Sequence, residues 1–109
     1  MSTVDLVIKG GTLANGTKAD ISIKDQRIVD VVSGFKGEAT KTIDATGCVI
    51  LPGLVDLHTH LREPGREDAE TVLTGSRAGA KGGFTALSAM ANTSPVADTA
   101  GVVEQVYRL

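Results

Sequence analysis

The sequence predicts a mixed α/β chain, with a strand-rich first half over residues 1–53 and a βαβ second half over residues 54–109. Three observations carry that reading. Short alternating runs divided by turn residues fill the first half, the pattern changes to strand, helix, strand after Pro52-Gly53, and polar side chains gather where the first strand of the second half ends.

In the first half "VDLVIKG" alternates and is expected to stop at Gly10-Gly11. "ADISIKD" alternates and turns at Asp25-Gln26, "RIVDVV" follows at hairpin distance, and "KTIDATGCVIL" turns once at Thr46-Gly47. "VSGFKGEATK" carries glycines and mixed charge without a period, which predicts an exposed loop.

Leu54 to Leu61 is the first strand of the second half. "EDAETVLTGSRAGAKGG" has Ala69, Val72, Leu73, Ser76 and Ala80 at helical spacing, acidic residues at its start and Gly82-Gly83 at its end. The next strand is "FTALSAMA", and after the loop "NTSPVAD" a second helix is expected near Asp98, with Val102, Val103, Val106 and Tyr107 on one side. The chain ends inside that helix.

A strand, a crossover helix and a second strand form a parallel, right-handed βαβ unit. A parallel sheet needs cover on both faces, and a closed (β/α)8 barrel takes about 250 residues. Both halves therefore read as beginnings, and the expectation is an N-terminal fragment of a longer protein.

Composition narrows the class. A formal charge of -2, 41% hydrophobic residues and no tryptophan are ordinary for a soluble globular sequence. No apolar run approaches the roughly 18 residues of a membrane span, and the polar start "MSTVD" lacks a signal-peptide core. A cytoplasmic protein is expected. With no basic block, nothing supports binding to nucleic acid or to an anionic membrane. The lone cysteine, Cys48, has no internal disulfide partner and is expected to be a small buried hydrophobe.

The chemistry concentrates in "DLHTHLREPG". Strand alternation places Leu54, Asp56, His58, His60 and Arg62 on one side, and Val55, Leu57, Thr59 and Leu61 on the other, facing the helix. The first face becomes wholly polar toward the carboxyl end of the strand, where α/β folds build their sites. Imidazoles at i and i+2 converge on one metal ion, or else are strand-end polar residues with ordinary hydrogen-bond partners. Burying so many polar groups without a shared partner costs roughly 1 to 3 kcal/mol each, which favours a ligand. Arg62 suits bidentate capture of a carboxylate, against a surface salt bridge to Glu63, Glu67 or Asp68. Asn92 sits at the equivalent place after the next strand, as a second donor or as a turn residue of "ANTSP".

The run "IDATGCVILPGLVDLHTHLREPG" resembles the amidohydrolase superfamily. "DLHTHLREPGRED" with "TGSRAGAKGGFTALSAMANTSP" is similar to the long bacterial dihydroorotases, relatives of hydantoinases and allantoinases, and the likeness covers essentially the whole chain. It implies a small β-sandwich segment over residues 1–53 and the first βαβα part of a (β/α)8 barrel over residues 54–109, both incomplete. It implies that His58 and His60 are metal ligands for zinc, with two ions in the complete enzyme, and that Arg62 and Asn92 bind the substrate carboxylate.

The implied reaction interconverts N-carbamoyl-L-aspartate and dihydroorotate in pyrimidine biosynthesis, with water activated by zinc for attack on the ring amide. The bridging carboxylate, later histidines and proton-transferring aspartate of the family belong to later barrel strands. No catalytic residue is thus assigned in this chain, and the piece alone is expected to be inactive. Ala91 stands where proline is frequent in the family. Other readings are an allantoinase or hydantoinase, and a non-catalytic structural partner of aspartate transcarbamoylase. A homo-oligomer acting on a small molecule is expected.

Overall fold

Val4–Leu13 form the long strand β1, and the rest of the first half is arranged around it. The structure, a computed structural model, describes residues 3–109, which divide after Pro52 into two compact units. In the first unit β2 (Lys18–Lys24), β3 (Arg27–Val32), β4 (Ala39–Asp44) and β5 (Val49–Ile50) complete one sheet in the order β3-β2-β1-β4, with β5 also on β1. β1, β2 and β3 are antiparallel neighbours, while β4 and β5 run parallel to β1.

Gly10-Gly11 does not end β1. The register with β2 passes from Ile8↔Ile21 to Gly11↔Ala19, a bulge, and the strand continues to Leu13. Gly10 supplies the positive φ of 74° that the bulge uses. The turn at Asp25-Gln26 joins β2 to β3 through two residues with φ of 49° and 61°, the two-residue hairpin loop that matches strand twist. At Thr46-Gly47 the Cys48 amide donates to the Ala45 carbonyl, and Gly47 has φ 79°.

The core of this unit is Val4, Val7, Ala19, Ile21 and Ala45. Alternation along "ADISIKD" would send Asp20 and Ser22 to solvent, but both are buried. Asp20 accepts from the Gly10 amide at 2.8 Å and from the Phe35 amide at 2.7 Å, so it ties the bulge to the loop after β3. Those amides hold its carboxyl below the usual aspartate range. The expected loop is shorter than "VSGFKGEATK", because Ala39 to Lys41 already pair with β1. Cys48 is exposed rather than buried, since it follows the turn that links β4 to β5.

The second unit has β6 (Leu54–Thr59) parallel to β7 (Phe84–Ala89), with α1 (Val72–Lys81) as crossover and α2 (Ala100–Arg108) after β7. The acidic run that sequence assigns to the first turn of α1 lies before it. Thr71 is the N-cap: its hydroxyl accepts from the Thr74 amide, and Thr74 returns the bond. Residues 66–70 form a separate turn, in which the Ala69 and Glu70 amides donate to the Arg66 carbonyl and the Arg66 side chain pairs with Asp68.

The inner face of α1 also differs from the expected one. Ala69 lies outside the helix, Leu73, Ser76 and Ala80 are exposed, and the one buried helical residue is Gly75. A Cβ on Gly75 would lie 2.6 Å from Leu61, and one on Gly79 would lie 3.1 Å from Leu87. Two glycines one turn apart make a flat stripe that leucines from the sheet side fill. A hydrophobic periodicity cannot register side chains that do not exist.

α2 starts at Ala100 behind the cap Thr99, slightly later than expected, and Glu104 pairs with Arg108 one turn on. Val102 and Val106 are half-buried, whereas Val103 and Tyr107 are exposed, which narrows the expected apolar side. Among the described residues, no helix is long and apolar enough to cross a membrane.

Candidate active site

β6 ends at Thr59, two residues before Leu61, so strand alternation carries His58 but not Arg62. The ladder closes with the Met90 amide donating to the Thr59 carbonyl at 2.9 Å. Beyond it the two loops after β6 and β7 take over. The His58 and His60 rings lie edge to face with centroids 5.1 Å apart. Asp56 turns its carboxylate onto the His58 amide at 2.9 Å, which fixes the backbone leading into the pair.

His60 Nδ1 is 3.0 Å from Asn92 Oδ1. A carbonyl oxygen only accepts, so the contact is a hydrogen bond in the tautomer that carries its proton on Nδ1, the one that leaves Nε2 free for a cation. The structure thus joins His58 to His60 and His60 to Asn92. Arg62 follows on the loop in a left-handed conformation, φ 63°, which costs a non-glycine residue about 1 to 2 kcal/mol. Its carbonyl accepts from the Arg66 amide at 2.9 Å and closes the turn that holds it there. The ion pairs among the described residues are Arg66 with Asp68 and Arg108 with Glu104, so the Arg62 guanidinium is paired with neither Glu63, Glu67 nor Asp68.

Two residues to which the sequence reading gave no positioning role, Glu63 and Gly65, set this geometry. Glu63 accepts from the Val72 amide at 2.7 Å, placing a carboxylate on the first free donor of α1 and tying the Arg62 loop to the helix. Gly65 has φ 105°, and a Cβ there would lie 2.6 Å from the Ser94 carbonyl oxygen. The Ser94 amide donates to the Pro64 carbonyl at 3.0 Å. "REPG" and "ANTSP" therefore clasp each other, and each carries one polar candidate, Arg62 or Asn92. The readable signal was the Pro64-Gly65 pair beside an acid; its partner, far along the chain, left no local trace.

Within the unit a cavity of about 210 Å³ is lined by Leu61, Glu63, Met90, Val103, Val106 and Tyr107 among others. It is largely apolar and includes neither histidine. Nearby surface acids are spoken for: the Gly65 amide keeps Glu67 below its ordinary range, and Arg66 does the same for Asp68.

The histidine pair fits a zinc ion as part of a ligand set. Two imidazoles stand side by side, and the contact to Asn92 is made by Nδ1 of His60, so the outer nitrogen faces away from it. Among the described residues no group of three histidine, cysteine or acidic side chains is close enough to hold a metal. A zinc ion on this pair would need ligands beyond the two histidines.

Comparison with known proteins places the chain in a family. The sequence model of the family described as dihydro-orotase-like matches residues 47–108. A dihydroorotase of Streptomyces coelicolor is 57% identical over 103 residues, 94% of this chain and 24% of that protein. One from Leifsonia xyli subsp. xyli is 57% identical over 109 residues, 100% of this chain and 25% of that protein. Among solved structures, the L-hydantoinase (dihydropyrimidinase) from Arthrobacter aurescens superimposes with a TM-score of 0.78 at 29% identity, over 94% of this chain and 24% of that one. The chain thus spans about a quarter of the length of the curated relatives it matches.

Proposed function

The chain belongs to the dihydro-orotase-like family, and on that footing we propose that it is the amino-terminal part of a zinc-dependent cyclic amide hydrolase of dihydroorotase type. Residues 1–53 are then part of the β-sandwich segment, and residues 54–109 are the first βαβα part of the barrel. The reaction is the interconversion of N-carbamoyl-L-aspartate and dihydroorotate in pyrimidine biosynthesis, in the cytoplasm and in a homo-oligomer.

The observation that carries the proposal is one loop cluster holding two chemistries. His58 and His60 offer imidazole nitrogens for zinc, while Arg62 and Asn92, on loops clasped through Pro64, Gly65 and Ser94, offer donors for a carboxylate. Arg62 receives the substrate carboxylate through its planar fork, and the Asn92 amide nitrogen adds a donor. Zinc, when bound, polarises the ring amide and makes a water nucleophilic near neutral pH. The proton transfer to the leaving nitrogen is assigned to a later barrel strand, and the 109-residue piece alone is inactive.

A hydantoinase is the second reading, favoured by the structural likeness to the Arthrobacter enzyme. Arg62 and Asn92 separate the two, because a carboxylate-bearing substrate uses both. The test is steady-state kinetics of the zinc-loaded full-length protein on dihydroorotate, hydantoin and allantoin. Dihydroorotate should be the preferred substrate, and Arg62→Ala should raise its KM about 10- to 100-fold, the worth of charge-assisted hydrogen bonds. Preference for hydantoin or allantoin with a silent Arg62→Ala would establish the second reading. No turnover of any substrate, with stable association to aspartate transcarbamoylase, would make the protein a non-catalytic partner.

A further inference from the structure

We infer that Asn92 is a positioning residue for the metal-side histidine His60, in addition to its role toward the substrate. The inference rests on the proposed function for the identity of the metal and the substrate. Its own basis is an asymmetry between the two histidines. The His60 ring bonds to Asn92 through Nδ1, whereas the hydrogen bond recorded at His58 is from its backbone amide to Asp56.

His60 needs such a partner. It lies one residue beyond the end of β6, where the ladder no longer fixes the chain. An unrestrained imidazole exchanges ring orientations and tautomers, and half of those states present a protonated nitrogen to a cation. A carbonyl oxygen on Nδ1–H selects the state with a bare Nε2, as the outer partners of metal-bound histidines do. Asn92 can serve as that partner because its own loop is pinned. The Thr93 and Ala97 amides donate to the Ala91 carbonyl at 2.9 and 3.0 Å, and Ser94 is fastened to Pro64.

One amide thus divides its work. The oxygen is committed to His60, and the nitrogen is left to donate elsewhere. Asparagine is suited to this in a way that aspartate or serine is not, since it joins an acceptor and two donors in one plane. Metal and carboxylate ligand then share a residue, and each should favour binding of the other.

The test measures zinc affinity of the full-length protein by competition with a chromophoric chelator, alongside KM for dihydroorotate. Asn92→Ala should weaken zinc about 10- to 100-fold and raise KM. Asn92→Asp should keep zinc affinity at or above wild type, because the carboxylate still accepts from Nδ1–H, yet raise KM by repelling the substrate. Arg62→Ala should raise KM and leave zinc affinity alone. Wild-type zinc affinity in Asn92→Ala, or an equal zinc loss in Asn92→Asp, would overturn the inference. Loss of zinc in Asn92→Ala with KM unmoved in all three variants would uphold it and refute the substrate assignment. Should Asn92→Ala fail to fold, ¹⁵N shifts of His60 in the metal-free wild type decide: a protonated Nδ1 is expected, and a protonated Nε2 would refute the inference.

Discussion

Asp20 in the first unit has both carboxylate oxygens filled by backbone amides of Gly10 and Phe35, whereas Arg62 in the second is held in a strained backbone conformation with its guanidinium outside every ion pair among the described residues. The first unit turns its buried carboxylate onto its own backbone. It also buries Val4, Val7, Ala19, Ile21 and Ala45 around the central strands. In the second unit Pro64 and Gly75 are the buried residues, and its order comes from a two-strand ladder, a helix on a glycine stripe and two clasped loops. The first unit consumes its carboxylate internally, whereas the clasped loops of the second hold the Arg62 backbone in a strained conformation. Sites are commonly placed in regions of the second kind, where strain is tolerated because neighbouring bonds enforce it.

Substitutions in the full-length protein should separate the two. The largest effect is expected from Gly65→Ala, which adds a Cβ 2.6 Å from the Ser94 carbonyl at φ 105°. Backbone strain alone should cost about 1 to 3 kcal/mol, with the clash in addition. The clasp should open, zinc-dependent turnover should fall, and hydrogen exchange in β1 and β2 should stay as in wild type. Retained turnover would mean that Arg62 and Asn92 are placed by something other than the clasp. Val7→Ala is the reciprocal change. Val7 is 1% exposed, and its truncation should lower protection of the β1 and β2 amides by about 2 kcal/mol with KM unaltered.

Acid should weaken the first unit through Asp20. Its folded pKa lies below the ordinary aspartate value, so its contribution is complete above that ordinary value, near pH 4, and is lost as pH falls through the lowered folded one. The neutral amide of an Asp20→Asn variant keeps one acceptor oxygen and turns its hydrogens toward the second backbone amide. The gap in β2 protection between wild type and Asp20→Asn should therefore shrink as pH falls below about 4, and a gap independent of pH would show that the carboxylate charge does not stabilise this unit. The smallest change expected is a gain: Gln26 holds φ 61° in the β2–β3 turn against a steric cost, so Gln26→Gly should stabilise that hairpin by about 1 kcal/mol. An unchanged or lower β2–β3 protection in that variant would mean that the turn is not strained.

The same division governs how much could be read before the structure. Turn chemistry is local, so Asp25-Gln26 and Thr46-Gly47 were legible, as was the strand-helix-strand order. The approach of His58 to His60 follows from their i, i+2 spacing. Non-local partners were not legible. Asp20 looks like a solvent-facing residue until the loop at Phe35 covers it, the acids before α1 look like a helix start until Arg66 claims Asp68, and Gly10-Gly11 looks like a stop until the bulge resumes pairing. Asn92 looks like a turn residue until His60 arrives from another loop.

The central claim is that the end of β6 and the loops after β6 and β7 unite a metal-binding pair with a carboxylate-binding pair. A crystal structure of the full-length protein grown with zinc and dihydroorotate, with anomalous data at the zinc edge, tests it most directly. Zinc is expected on His58 and His60, and the ligand carboxylate against Arg62 and Asn92. Zinc bound without either histidine, or a carboxylate held away from Arg62, would contradict it.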